Sequence, residues 1–471
     1  MNIYSTIVRE NESYRGIAVR EKDGEFTYPR LFSDVDEAAA ALVRAGVRPL
    51  DRCAFIADDS YRYIVYSLAI LKIDAAIIPL STRAVKTELA GMLESLPWEY
   101  LVTSEPYKPE EDCAELPFGF FLKKNGKTFE KTRLPGGEFP AFIRFSSGTT
   151  GKNKGVVLSH KSVLERTAAC TQLDIRRGEN VLWVLDMAYH FVVTILLFLR
   201  RGSTIIVCDH PVETRMAHWL AAYPVTLLYA TPYHYQVMSR SVPYSRELLK
   251  DVRMAVSTAM ALPRETAVAF ADKFAMPLNQ AYGIIEIGLP CINPAVSAKD
   301  RQGSVGKLQA AYEVRIDSPD AEGIGEILLR GPGMFDAYLS PFVLRDEVCR
   351  EGFFVTGDLG YVDADGFLFI VGRSKNVIVF SGMKIFPYEV ENLLLEHPAI
   401  AEVCVRGLPS PVLGEIPVAE IVLAPGFLES RQLRDELRRF CYSRMSEYKV
   451  PKQFVFVEKL KKTASGKIAR T

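Results

Sequence analysis

Over the first 375 residues, short β-branched runs alternate with longer stretches patterned as helices. Residues 64–71, Ile-Val-Tyr-Ser-Leu-Ala-Ile-Leu, carry apolar side chains at helical spacing, and the run at 75–78 that follows is strand-like and stops at a proline. The runs 182–185, 204–207 and 226–229 are continuously apolar and of strand length, with room for a helix between each pair. Continuous rather than alternating apolar runs suit parallel strands covered on both faces. After Glu322 the texture changes: 325–331, 361–370 and 377–382 read as short strands joined by Gly/Asp-rich turns. Asp365-Gly366 between alternating hydrophobics signals a hairpin. A polar break at 373–376 separates two apolar strands, and beyond it helices are expected around 388–397 and 430–445, with strands near 401–406, 418–423 and 453–457. The pattern therefore predicts an α/β protein with a large N-terminal domain, residues 1–375, of parallel sheets flanked by helices, and a small α+β C-terminal domain, residues 376–471.

Composition narrows the classes. A chain of 471 residues that is 48% hydrophobic can bury more than one large core. Lysine plus arginine balance aspartate plus glutamate at 57 each, so no long-range field favours nucleic acid or an anionic membrane. The longest apolar run near the middle, 191–199, stops at Arg200-Arg201 and is too short to span a bilayer. The N-terminus has no basic stretch leading into an apolar one, as a secretory signal would. Of the eight cysteines the nearest pair, Cys404 and Cys441, is 37 positions apart, which excludes close-spaced zinc or redox motifs. Scattered cysteines of this kind fit reduced core residues and a cytoplasmic location.

Candidate chemistry concentrates first at Phe145-Ser-Ser-Gly-Thr-Thr-Gly-Lys-Asn-Lys-Gly155, with four hydroxyls, three glycines and two lysines in eleven residues. Glycines bring backbone N–H groups close to a ligand, and hydroxyls and ammonium groups add donors for phosphate oxygens. The G-x-x-x-x-G-K-[ST] spacing of the common P-loop is absent. A bare Ser/Thr/Gly loop is often only a linker, but the apolar runs on both sides of this one read as strands.

Four further islands carry chemistry. His190, in Asp186-Met-Ala-Tyr-His-Phe191, has the surroundings of a satisfied core histidine, and six scattered histidines make a metal cluster a poor reading. Glu286, in Gln280-Ala-Tyr-Gly-Ile-Ile-Glu286, stands among apolar residues and must reach solvent or a cation. Tyr282 is a core tyrosine or a surface on which a base stacks. Asp358, in Thr356-Gly-Asp358, is a turn residue or a strand-end carboxylate that grips ribose hydroxyls. The tail Lys461-Lys-Thr-Ala-Ser-Gly-Lys-Ile-Ala-Arg470 is a solvated basic end or a catalytic element.

Taken together, the order and spacing of these islands resemble the superfamily of adenylate-forming enzymes: acyl-CoA and aryl-CoA ligases, stand-alone adenylation domains and luciferases. The 145–155 loop resembles its phosphate loop, and Ala281-Tyr-Gly-Ile-Ile-Glu286 resembles its Tyr-Gly-x-Thr-Glu element. Gly352 to Asp358 and Gly372-Arg-Ser-Lys375 resemble its ribose-binding aspartate, its arginine and its hinge. Ser381-Gly-Met-Lys384 opens a segment similar to the start of its small domain, and Ser465-Gly-Lys467 is similar to its catalytic-lysine motif. The resemblance spans nearly the whole chain. It implies parallel sheets plus a distorted β-barrel in the large domain, and a mobile small domain.

Carried over residue by residue, the resemblance implies ATP held by Ser146, Ser147, Gly148, Thr149, Thr150, Gly151 and Lys154, with Tyr282 and Gly283 at the adenine and Asp358 with Arg373 on the ribose. It implies Mg²⁺ on Glu286, catalysis by Lys467 and His190, a hinge at Lys375 and a thiol tunnel at Gly382. The acid would be lined by His190, Phe191, Ser257, Thr258, Ala259, Ala281, Ile284 and Ile285. The expected reaction joins a carboxylic acid to AMP, releases pyrophosphate and passes the acyl group to a thiol. That thiol is coenzyme A or the phosphopantetheine of a separate acyl carrier protein, since no carrier domain follows Thr471. Three departures stand out: Asn153 for proline, Ile285 for the threonine before the glutamate, and Thr258 for a glycine. No acid occupies the Tyr189-His190-Phe191 position where amino-acid-activating relatives hold an ammonium. An aromatic or small-to-medium aliphatic acid is therefore expected, in an apolar and confined pocket. A non-catalytic nucleotide-binding relative is the remote alternative.

Overall fold

The computed structural model describes residues 2–109, 112–127, 129–131, 133–146, 154–293, 303–462, 468 and 470, with only the backbone of Ser146 and Glu213. Two large mixed sheets and a smaller antiparallel one make up the part before Arg373, and a fourth sheet lies beyond it. In the first sheet, the strands Ile17–Glu21, Thr204–Val207, Asn180–Trp183, Leu227–Ala230, Met254–Ser257 and Leu278–Ile284 run parallel in that spatial order. Antiparallel strands Gly24–Thr27 and Gly288–Asn293 close its two edges. The runs at 204–207, 182–185 and 226–229 are thus neighbours, as their apolar continuity requires: every residue of Thr204–Val207 and Leu227–Ala230 is buried.

In the second sheet, strands Arg52–Ile56, Ala76–Pro79, Tyr100–Ser104 and Pro140–Ser146 are parallel neighbours with antiparallel additions at both edges. Helix Tyr61–Lys72 begins where Ser60 accepts from the Tyr63 N–H at 3.2 Å, and it is apolar nearly all round because it is buried nearly all round. The apolar runs flanking the 145–155 loop form an antiparallel pair, Pro140–Ser146 with Lys154–Ser159, in which Ser146 opposes Lys154. Both ends of the loop are thereby fixed to one point of the sheet.

The region of short strands forms a five-stranded antiparallel sheet in the order Ser304–Gly306, Leu368–Arg373, Phe354–Val362, Gly325–Arg330, Glu313–Asp317. It is the counterpart of the implied barrel, and it starts earlier than the texture change at Glu322. The hairpin signalled by Asp365-Gly366 has a longer loop than two residues: the Asp363 carboxylate accepts from the Asp365 and Phe367 N–H groups at 3.0 and 2.8 Å. The run at 377–382 is not one strand. Ser381 (φ 51°) and Gly382 (φ 81°) turn it into the hairpin Ile378–Phe380 and Met383–Ile385.

The large hydrophobic core ends at Leu368, and a separate one begins at Ile378. Between them lies the single turn Ser374–Asn376. The second core is built by the long hairpin Ile400–Ser410 and Gly414–Leu423, strand Gln453–Phe456, and helices Pro387–Leu395 and Arg431–Tyr442. An ion pair fixes the C-terminal tail to it. Arg470 donates to both oxygens of Glu391 at 2.7 and 2.6 Å and to the Val405 carbonyl at 3.1 Å, and it lies over the Tyr388 ring. Glu391 also accepts from the Val405 N–H at 2.6 Å, so its buried charge is fully partnered.

Removing one side of a buried ion pair strands the other charge. Glu391→Ala should destabilise the small domain by about 3–5 kcal/mol, and Glu391→Gln, which keeps acceptors, by clearly less. Chemical denaturation followed by a probe in the small domain checks the order. Equal losses in both variants would assign the effect to the missing charge alone, since Glu391→Gln removes it too.

Candidate active site

Two groups of candidate residues lie at either end of the segment Gly283–Ile285, which itself lines a cavity. In the first, Tyr282 on strand Leu278–Ile284 donates its hydroxyl to Asp358 at 2.6 Å, while Arg373 pairs with the other carboxylate oxygen at 2.6 Å. Asp358 and Arg373 are cross-strand partners in the antiparallel sheet, which accounts for their meeting. The Asp358 N–H donates to the Thr356 hydroxyl at 3.0 Å, and that hydroxyl donates to the Ile327 carbonyl at 2.7 Å. Burial first, and the carboxylate beside it second, push the Tyr282 hydroxyl well above its ordinary pKa. Tyr282 therefore acts as a donor and holds Asp358 in place. Gly283 follows because nothing larger fits: a Cβ there would lie 2.5 Å from the Gly288 carbonyl oxygen.

The second group surrounds Glu286. Its carboxylate accepts from the Tyr338 hydroxyl at 3.3 Å, and the Lys154 ammonium lies 5.2 Å from the centre of the Tyr338 ring. Tyr338 opposes Val156 across the sheet, so the end of the hairpin that carries the 145–155 loop and Glu286 meet on one aromatic side chain. The backbone there is clamped by the buried Arg166, which donates to the Ile285 carbonyl at 3.1 Å and the Gly333 carbonyl at 2.9 Å. The Phe335 N–H donates to the Glu286 carbonyl at 2.8 Å. Among the described residues no group of three or more metal-ligating side chains occurs. One half-buried carboxylate beside a cationic loop end fits a magnesium ion whose other ligands are phosphate and water oxygens.

The cavity has a volume of about 760 Å³ and reaches from the first sheet to the small domain. His190, Thr258, Ala259, Gly283, Ile284 and Ile285 line it, as do Lys462, Ile468 and Glu402 from the small domain. Its floor is Tyr229, whose hydroxyl donates to Thr258 Oγ1 at 3.4 Å and whose ring stacks parallel to Trp183. Ala259 takes a left-handed φ of 71°, an uncommon conformation for a residue with a Cβ. Near the mouth, Asp186 is already engaged by Ser81, by the Ala188 N–H at 2.8 Å and by Arg83 at 3.8 Å.

Other expected residues fall elsewhere. Phe191 is fully buried and packs against Tyr63 rather than lining the cavity. The reason is a π-helical turn at Phe191–Ile195, in which the Leu196 N–H donates to the Phe191 carbonyl. The wider turn shifts the inward face, and Val193 lines the cavity instead. Ser257 and Ala281 are likewise buried within their strands and absent from the lining. The cavity is also larger and more polar than a confined apolar pocket, because Arg83, Arg144, His234 and Gln236 share its wall. Lys375 is exposed within the Ser374–Asn376 turn, and an added Cβ at Gly382 would meet open space. Ser147, Gly148, Thr149, Thr150, Gly151 and Lys467 lie outside the described residues. Lys462 and Ile468, which bracket Lys467, pair as an antiparallel bridge, and Lys462 binds Glu402 at 3.0 Å. Tyr229, Tyr338 and Arg144 belong to no motif. Only Arg144 gave a signal, as a charge inside an apolar strand.

Comparison with known proteins places this geometry. The family model "AMP-binding enzyme" matches residues 10–339, and "AMP-binding enzyme C-terminal domain" matches residues 389–467. The chain belongs to the AMP-binding enzyme family and is an AMP-forming acid–thiol ligase. It is 27% identical over 458 residues to a 2-succinylbenzoate–CoA ligase of Listeria monocytogenes, covering 95% of this chain and 93% of that one. It is 28% identical over 482 residues to a feruloyl-CoA synthase of Amycolatopsis, covering 98% and 96%. Among solved structures, o-succinylbenzoate CoA synthetase of Bacillus subtilis with its acyl-adenylate superimposes with a TM-score of 0.83 at 22% identity, covering 100% of this chain and 97% of that one. At that identity it shows the shared fold. Among the described residues no helix is long and apolar enough to cross a membrane.

Gly283 gives a direct check on the geometry between the two groups. Gly283→Ala must push the Gly288 backbone away, at a cost of about 1–3 kcal/mol. A lowered melting temperature is expected, and an unchanged one would mean that the two strands are free to part.

Proposed function

We propose that the chain activates an aromatic or small-to-medium aliphatic carboxylic acid as its acyl-AMP and passes the acyl group to coenzyme A. The observation that carries the choice of acid is the Tyr229–Thr258 contact across the cavity floor, which limits how deep an acyl chain can reach. Ile284, Ile285 and Val193 give that end an apolar wall. Among the acids of the cavity wall, Asp186 lies nearest in sequence to Tyr189-His190-Phe191 and is the candidate to receive an α-ammonium. Its carboxylate is committed to Ser81, the Ala188 N–H and Arg83, which disfavours an amino acid as substrate.

In this reading Tyr282, Asp358 and Arg373 hold the nucleoside, and Lys154 with the 146–151 segment holds phosphate oxygens. Glu286 holds Mg²⁺, which would draw charge from the phosphates when bound. A carboxylate oxygen of the acid attacks the α-phosphorus, and the bond to the bridging oxygen breaks, releasing pyrophosphate. Lys467 stabilises the charge that develops there, and His190 orients the acid. In the second step the thiol sulfur attacks the acyl carbon, and AMP leaves with the bonding electron pair. The small domain, from residue 376, swings about Lys375 between the steps and brings Gly382 to the thiol.

Pyrophosphate release with ATP, Mg²⁺ and a library of acids tests the reaction, and trapping with CoA or with a phosphopantetheinylated carrier protein identifies the acceptor. Aromatic or short acids with CoA are the expected result. Release with α-amino acids alone, or with no acid at all, would overturn the reading, and transfer to the carrier alone would replace the acceptor.

Thr258→Gly should deepen the floor and shift kcat/KM toward longer or bulkier acids. One methylene is worth only about 1–3 kcal/mol, so the shift should be graded. Unchanged ratios between competing acids would take residue 258 out of the pocket. Lys467→Ala should slow adenylate formation by about 10²–10³-fold and spare thioester formation from preformed acyl-adenylate. Lys375→Pro should do the reverse, because proline fixes φ at the pivot and hinders the swing. Equal damage to both half-reactions in both variants would refute the two dockings.

A further inference from the structure

Arg144 is a cation that the roles above leave unused. It lies on strand Pro140–Ser146, one strand repeat before the chain enters the phosphate loop. Its side chain lines the cavity beside Tyr189, His190 and Ile285. Nη1 donates to the Tyr189 carbonyl at 3.0 Å, and the guanidinium lies 5.0 Å from the centre of the Tyr189 ring. These contacts fix its direction and leave most of its five donors free for a ligand. Among the described residues it forms no ion pair with a carboxylate. Burial pushes its pKa down, and Tyr189, Glu286 and Asp186 only partly offset this. Both of those carboxylates have partners of their own, Tyr338 for Glu286 and Ser81 with Arg83 for Asp186.

A half-buried guanidinium with no carboxylate partner among the described residues is better satisfied when an anion arrives. Two oxyanions enter this cavity, the phosphates of ATP and the carboxylate of the acid. The place of Arg144 at the root of the phosphate loop, within the field of Glu286, selects the phosphates. We infer that Arg144 binds the phosphate oxygens of ATP that depart as pyrophosphate. This rests on the adenylation reading above. Arg144 transfers no proton; it holds the charge that the leaving oxygen gains as its bond to the α-phosphorus breaks.

The test compares ATP with AMP, which lacks those phosphates. Calorimetric titration of the whole enzyme without acid gives both affinities, and ATP–pyrophosphate exchange gives KM for ATP and for acid. Arg144→Gln should weaken ATP binding and product inhibition by pyrophosphate about 10–100-fold, the worth of a charged hydrogen bond, and leave AMP binding unchanged. Arg144→Lys should restore part of this, keeping the charge without the planar fork, and it is the variant to read if Arg144→Gln does not fold. Equal weakening of ATP and AMP, or no change in either, overturns the inference. A rise confined to KM for the acid also overturns it and places the guanidinium on the acid carboxylate. Should wild-type enzyme exchange no pyrophosphate with any acid, the adenylation reading fails, while the ATP-to-AMP comparison still decides what Arg144 binds.

Discussion

The carboxylate of Asp358 is the constraint on which the site depends. It is almost entirely buried, at 4% exposure, and a buried charge persists only when its oxygens are engaged. Two of its partners, Tyr282 and Arg373, come from different parts of the chain. Tyr282 lies near the end of strand Leu278–Ile284 in the first mixed sheet, and Arg373 ends a strand of the antiparallel sheet and is the last residue before the Ser374–Asn376 turn. One side chain therefore joins the two sheets and anchors the start of the connection to the small domain. The Tyr282 hydroxyl, held protonated by burial and by Asp358, can only add to this arrangement as a donor.

Glu286 is held by different means. Its position comes from backbone, through Arg166 on the Ile285 carbonyl and the Phe335 N–H on its own carbonyl, rather than from an ion pair of its carboxylate. Fixing the backbone while the carboxylate has, among the described residues, one hydrogen bond, from Tyr338, keeps its oxygens available to a cation without giving up position. The cost of that arrangement is carried by Arg166, whose burial lowers its pKa to about 10. Its charge is met by carbonyl dipoles, so the support of the site does not compete with the ligand for the same carboxylates.

Legibility in the sequence followed the range of the forces involved. Apolar continuity marks Thr204–Val207 and Leu227–Ala230 because a parallel strand buried on both faces leaves no other pattern, and the polar break at 373–376 marks the gap between two cores. Motif residues such as Tyr282, Asp358 and Arg373 meet because strand register brings them together. Three things escape a reading by periodicity. The π-helical turn at Phe191–Ile195 adds a residue to one turn, which exchanges Phe191 for Val193 at the cavity with no mark in the sequence. Tyr338 reaches Glu286 only through a cross-strand pairing of segments far apart in the chain. The cavity's polar wall draws His234 and Gln236 from a helix and Arg144 from a strand, and periodicity does not show that they share one wall.

Lys467 raises a different requirement. In the proposed reaction it acts in one step and is withdrawn in the next, and such a group needs a tail that is firmly attached to its own domain but lightly attached to the other. The attachment is visible three residues later, where Arg470 is clamped by Glu391, by the Val405 carbonyl and by the Tyr388 ring, all within the small domain. The Lys462–Glu402 pair on the near side is also internal to that domain. None of these contacts crosses to the large domain, so motion of the small domain would carry the tail without breaking them. The large domain contributes the other half of the cavity wall, and between the cores runs only the exposed turn at Ser374–Asn376. Strong contacts inside each domain, and a single short connection between them, are the conditions under which a catalytic side chain can be rigid in its own frame and mobile in the frame of the substrate.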